Sequence, residues 1–154
     1  DGAGMNWKGK PYYQALEDGD PADEPPGTGG LLVALHQLKL VLVQRDKGFG
    51  KFYYLGSEPL DGRGQRVDVI ATELGNVESR WYVSRQSGTL VGFDTRIEED
   101  VDSCDIRFAG VKSIDGRTLP AALVVRSADR AVAEFRLEQV TLGTKPATGE
   151  KKKP

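Results

Sequence analysis

Residue types able to do chemistry are few and scattered along this chain. Cys104 is the only cysteine and His36 the only histidine in 154 residues. No internal disulfide can form, and a zinc centre would need carboxylate help, with no C-x-x-C or H-x-x-H spacing to seed it. A thiol–imidazole pair would require the fold to bring Cys104 to His36. Cys104 alternates with Ile106 and Phe108, so a buried, inert thiol is the simpler expectation. The acidic run Glu98-Glu99-Asp100-Val101-Asp102, with Asp105 beyond, offers oxygen ligands but lacks the D-x-[DN]-x-[DN]-G order of a calcium loop. It reads as a solvated turn that discourages edge-to-edge pairing. Asp61-Gly62-Arg63 and Asp115-Gly116-Arg117 read as turns, in which glycine supplies positive φ and aspartate bonds nearby backbone. No G-x-S-x-G, P-loop or dinucleotide fingerprint is present. The expectation is a chain with no catalytic residues, no metal and no cofactor.

The side chains that could form a site are apolar. Phe52, Tyr54, Trp81, Phe93, Phe108 and Phe135 fall in alternating segments and would line the concave face of a curved sheet. There they either pack against a helix or leave a hydrophobic groove for an acyl chain or an apolar peptide. The expected partner is therefore a hydrophobic ligand or another protein.

The elements that must position them follow from periodicity. In LLVALHQLKLVLVQ, Leu31, Leu35, Leu38 and Leu42 repeat at helical spacing, with Thr28 as a candidate N-cap and Gly48 as a candidate stop. Leu32, Val33, Leu40 and Val43 lie on the other side, so such a helix is apolar nearly all round and must be embraced by the sheet. A hairpin through the β-prone residues 40–43 is the competing reading. From Gly50 the period becomes two. RVDVIATEL alternates Val67, Val69 and Ala71; VESRWYVSR sets Val77, Trp81 and Val83 against Tyr82; TLVGFDTRIE sets Leu90 apart from Val91, Phe93, Thr95 and Ile97. With the hairpin signals between them, these segments predict six or seven antiparallel strands in meander order.

Residues 1–28 read as an acidic, Pro/Gly-rich linker or N-terminal extension with three aromatics, Trp7, Tyr12 and Tyr13, that could dock on a core. Residues 29–143 form the expected β domain, and 144–154 a polar, basic, disordered tail. Asp1 in place of an initiator Met suggests a processed product or an excised piece. The formal net charge is −2, with 21 Lys and Arg scattered among 23 Asp and Glu, which gives no stripe for nucleic acid. The longest apolar run carries His36, Gln37 and Lys39 and falls short of the ~20 residues of a bilayer span.

Three stretches, YYLGSEPLDGRGQRVDVI, RWYVSRQSGTLVGFDTR and DIRFAGVKSIDGRTLPAALVVRSADRAVAEFRLEQV, together span about residues 50–140. Their strand and turn order resembles the C-terminal half of the LolA/LolB-like lipoprotein-carrier superfamily. The resemblance implies an α+β fold: a curved antiparallel half-barrel of six or seven strands wrapped around one apolar helix, in a periplasmic or secreted bacterial protein. The family's N-terminal strands have no counterpart in residues 1–28. VDSCDIRF with RTLPAALVVRSAD is also similar to a C-terminal region of bacterial trypsin-like envelope proteases. The resemblance thus implies a non-catalytic binding module, with a lipid or lipoprotein carrier and an accessory domain of a serine protease as alternatives.

Overall fold

The structure, a computed structural model, describes residues 2–16, 21–114 and 116–139. It is α+β, with one α-helix, a two-stranded hairpin and a seven-stranded antiparallel sheet that stays open. The hairpin pairs β1 (Gly2–Trp7) with β2 (Lys10–Ala15), and α1 (Leu31–Gln44) follows. The sheet runs β3 (Lys51–Pro59), β4 (Arg66–Leu74), β5 (Val77–Ser84), β6 (Leu90–Arg96), β7 (Cys104–Ile114), β8 (Arg117–Ser127) and β9 (Arg130–Arg136). Spatial order equals chain order, so the sheet is a pure meander with β3 and β9 at its edges.

Residues 31–43 are helical rather than a hairpin. Thr28 serves the helix start from two residues before its N-cap, Gly30: its Oγ1 accepts the Leu31 N–H at 3.1 Å and donates to the Pro25 carbonyl at 2.6 Å. A second device was not legible in the acidic composition of residues 17–24. The Asp23 carboxylate accepts N–H groups from Gly27 at 2.7 Å and from Thr28 and Gly30 at 3.1 Å, which places negative charge at the positive end of the helix. Gly29, at φ 69, lies so close to β7 that a Cβ would meet the Asp102 carbonyl oxygen at 2.5 Å. Side chains are therefore excluded there by both conformation and space. The helix ends at Gln44 and passes through a 3-10 turn, Arg45–Gly48.

The expectation of an apolar helix embraced all round holds for its first turns only. Leu31, Leu32, Val33 and Ala34 are buried, whereas Leu42 and Val43 are 69% and 72% exposed. Part of the segment read as linker or extension is the β1–β2 hairpin, which contacts α1 and brings Met5 and Trp7 onto the main core. The expected tail, 144–154, lies outside the described residues.

Register explains the core. Tyr54, Ile70, Trp81, Phe93, Ile106, Val125 and Ala133 are successive cross-strand partners from β3 to β9, one row on the helix-facing side. The next inward row, Thr72, Ser79, Thr95 and Cys104, is buried and mostly polar. Trp81 Nε1 donates to Thr72 Oγ1 at 2.9 Å, and the Ser79 and Thr95 hydroxyls bond at 2.9 Å, so burial leaves these groups paired. One grouping from periodicity is reversed. A bulge between Tyr82 and Val83 pairs Val83 with Leu90 and Tyr82 with Gly92. Leu90 therefore packs inward with the main core, and Val91 packs with Val67, Val69 and Tyr82.

Candidate functional site

The six aromatics proposed for a groove part company along the sheet. Trp81 and Phe93 are 3% and 0% exposed and stack at 4.5 Å between ring centroids. Phe108 meets Phe93 edge-on at 6.2 Å. Phe135 lies 6.3 Å from Trp7, brought over by the hairpin. Leu31 and Ala34 of the helix belong to the same buried cluster. Rings so arranged gain about 0.5–1.5 kcal/mol per pair beyond their burial and leave no open trough at the centre of the sheet.

Phe52 and Tyr54 differ. They sit on β3, where Phe52, Tyr53, Tyr54 and Leu55 are 45%, 42%, 62% and 50% exposed. β3 pairs only with β4 among the described residues, so its outer backbone edge is open. The tyrosine hydroxyls are tethered: Tyr53 donates to Glu73 Oε1 at 3.1 Å and Tyr54 to Asp68 Oδ1 at 3.0 Å. Those hydrogen bonds to carboxylates hold both phenols above their ordinary pKa. Phe49 bridges this rim to the core, 6.5 Å from Phe52 and 6.3 Å from Trp81. The rim is thus an apolar, ordered, open edge, bounded by Lys51 and Glu58.

The outward face carries charge. Arg80, Asp94, Asp105 and Arg126 are successive cross-strand partners, which sets two carboxylates side by side between two guanidinium groups. Burial pushes the Asp94 carboxyl above its ordinary range, with Asp105 adding to the rise and the Tyr82 hydroxyl bond opposing it. Ser103 Oγ donates to Asp105 Oδ1 at 2.8 Å. One row along, Gly92 leaves room for Arg107 to cross β6, where its guanidinium lies 4.9 Å over the Tyr82 ring. The same guanidinium grips Asp61 at 2.7 and 3.3 Å and holds that carboxyl below its usual range. Gly62 has φ 75, as expected of the glycine in the DGR turn, whereas Asp61 also takes a positive φ, 52, and its carboxylate is held by Arg107 where a bond to nearby backbone was expected. The ion pair is an addition that turn chemistry did not foretell. It clips this turn over the cluster of Val67, Val69, Tyr82, Leu60 and Val91. In the second such turn Gly116 has φ 72, and Asp115 lies outside the described residues.

A cavity of about 350 Å³ opens elsewhere, between β2, α1 and the turn joining β4 to β5. Its described lining includes Gln14, Leu16, Val33, His36, Gln37 and Val77, and none of the six aromatics. Gln37 is 2% exposed, and its Oε1 has no hydrogen-bond partner among the described residues. Periodicity could not single it out, because a lone amide in an apolar helix reads as a surface position.

The remaining candidates are placed simply. Cys104 is buried in the main core, and burial drives its thiol pKa up, which disfavours the nucleophilic thiolate. His36 lines the cavity rather than that core. Glu98, Glu99, Asp100 and Asp102 are exposed in the turn between β6 and β7. Among the described residues no group of three or more His, Cys, Asp or Glu side chains is placed to hold a metal ion, and no helix is long and apolar enough to cross a membrane. Comparison with protein-family models, curated proteins and solved structures finds no match to this chain.

Proposed function

We propose that this domain is a non-catalytic interaction module, an accessory half-barrel of a bacterial envelope or secreted protein, whose working surface is the β3 rim. The observation that carries this reading is the run Phe52–Leu55, exposed on a strand whose outer backbone edge is unpaired among the described residues. An edge of that kind accepts an extended segment of a partner protein as an added strand, with backbone bonds giving affinity and alternate side chains giving selectivity. The filled centre of the sheet weighs against the carrier alternative, because Leu31 and Ala34 lie where an acyl chain would lie against Trp81 and Phe93. Attachment to a trypsin-like protease and placement in the cell envelope rest on the sequence resemblance.

The test is a panel of extended octapeptides of alternating apolar pattern, read by hydrogen exchange at the β3 amides. Binding should slow exchange there, and the variant Tyr53→Lys/Leu55→Lys should lose binding with an unchanged melting temperature. Peptides that protect only other amides, or that bind the double variant equally, would end this reading. Stoichiometric uptake of a fluorescent fatty acid by delipidated protein would restore the carrier.

A further inference from the structure

Taking β3 as the docking edge proposed above, we infer that the strand it accepts is β3 of a second copy of this chain, paired antiparallel about a two-fold axis at Tyr54–Leu55. Exposed apolar side chains distinguish the two edges of the sheet. Phe52, Tyr53, Tyr54 and Leu55 are consecutive on β3, whereas β9 carries none of the large exposed hydrophobic residues. β9 presents Arg130, Glu134 and Arg136 instead, the last two joined at 2.7 Å. Charge of that kind guards an edge against added strands, so head-to-tail growth of β3 onto β9 is disfavoured. Pairing of β3 with itself uses only the apolar edge and closes at two copies.

Charge sets the register. Tyr54 pairs with Ile70 and Gly56 with Val69, so Leu55 is an extra residue, a bulge that shifts the phase of the strand. Lys51 and Glu58 stand an odd number of residues apart, which in a regular strand puts them on opposite faces. Because of the bulge both lie on the outward face, across from Glu73 and Val67. Antiparallel pairing centred on the bulge then sets Lys51 of each copy against Glu58 of the other, twice and on one face. The same register gives the longest overlap, since the bulge lies midway between these two residues. Glu58 is exposed, and Lys51, though it reaches Glu73 at 2.6 Å, keeps its side chain 66% exposed, so both can meet a second copy. A bulge blunts an edge by twisting it away from a straight partner. Across a two-fold axis the opposing strand carries the same twist, and the two Tyr54 rings, inward by their pairing with Ile70, meet beside the axis.

A strand of 9 residues is a small contact beside the roughly 20–30 residues a side of a standard interface, so the dimer is weak and forms toward millimolar concentration. Sedimentation of the full chain from micromolar to millimolar concentration should show monomer passing to dimer and nothing larger. Hydrogen exchange over the same range should slow at the β3 amides and stay constant at those of β9. Glu58→Lys and Lys51→Glu should each weaken self-association about tenfold or more, because two attractive cross-strand pairs become repulsive. Mixed in equal amounts, the two variants should regain association, since every pair is again Lys against Glu. A mixture that stays monomeric, while each variant melts as the unaltered chain does, would overturn the proposal. So would protection at β9 or growth past two copies. Exchange on the unaltered chain decides the matter even if a variant fails to fold. A chain still monomeric at millimolar concentration ends self-pairing: if octapeptides protect β3 the docking reading survives, and if they do not both fall.

Discussion

The inward and outward rows of the same strands solve opposite problems one residue apart. Inward, Ile70, Trp81, Phe93, Ile106 and Val125 run across β4 to β8 as partners that need nothing but each other and the helix. Outward, Arg80, Asp94, Asp105 and Arg126 cross nearly the same strands as charges that need both water and one another. The pleat alone separates the two sets. Removal of apolar volume inward leaves a hole that nothing fills, whereas removal of a charge outward changes a balance that solvent largely restores.

Four substitutions sharpen this contrast. Phe93→Ala empties the centre of the inward row and should cost about 3–5 kcal/mol in chemical denaturation. Trp81→Phe retains most of the ring but strands the Thr72 hydroxyl, and should cost about 1–2 kcal/mol by the same measurement. Asp61→Asn breaks the clip to Arg107. Because Asp61 is 46% exposed, the loss should stay below about 1 kcal/mol at neutral pH. The folded-state pKa of Asp61 lies below its unfolded value, so its stabilisation is present above the ordinary carboxylate pKa and fades as pH falls through the folded one. The wild-type advantage over Asp61→Asn should therefore vanish in acid, as a pair of melting curves would reveal.

Asp94→Asn should have the smallest effect and the opposite sign. The Asp94 pKa is raised on folding, so the ionised carboxylate destabilises at neutral pH, and stability is regained as pH falls through the folded value. The asparagine oxygen can still accept the Tyr82 hydroxyl, while the like-charge contact with Asp105 disappears. A gain of a few tenths to about 1 kcal/mol is expected near neutrality, shrinking in acid. A loss instead would mean that the Arg80 and Arg126 flanks need both carboxylates charged.

Strong periodicity made much of this legible. The strand order of the large sheet and the inward placement of Trp81, Phe93, Cys104, Ile106 and Phe108 follow from spacing, and the structure decides for the helix at residues 31–44 over the hairpin that its β-prone end also allowed. Failures came where one residue changed the phase or a long-range partner decided. The bulge at Tyr82–Val83 exchanged Leu90 and Val91 between faces, which no local composition signals. Asp23 looked like part of a solvated acidic segment because its three N–H partners become donors only once the glycines adopt positive φ. Of the six candidate aromatics, only Phe52 and Tyr54 remain accessible at the edge, since whether an edge strand is covered depends on tertiary neighbours rather than alternation. The cavity at Gln37 depends on how three separate segments meet.

The unbroken meander has a consequence for how the chain folds and how it could have been lengthened. Every strand of the large sheet pairs only with its sequence neighbours, so each hairpin can form without waiting for a distant segment. The sheet can zip from any hairpin toward both ends, faster than a crossed β topology of equal size. Strands can also be added or trimmed at an edge without rethreading what lies between. Loss of β9 should leave β3 to β8 still in register, whereas a cut within β6 should divide the sheet.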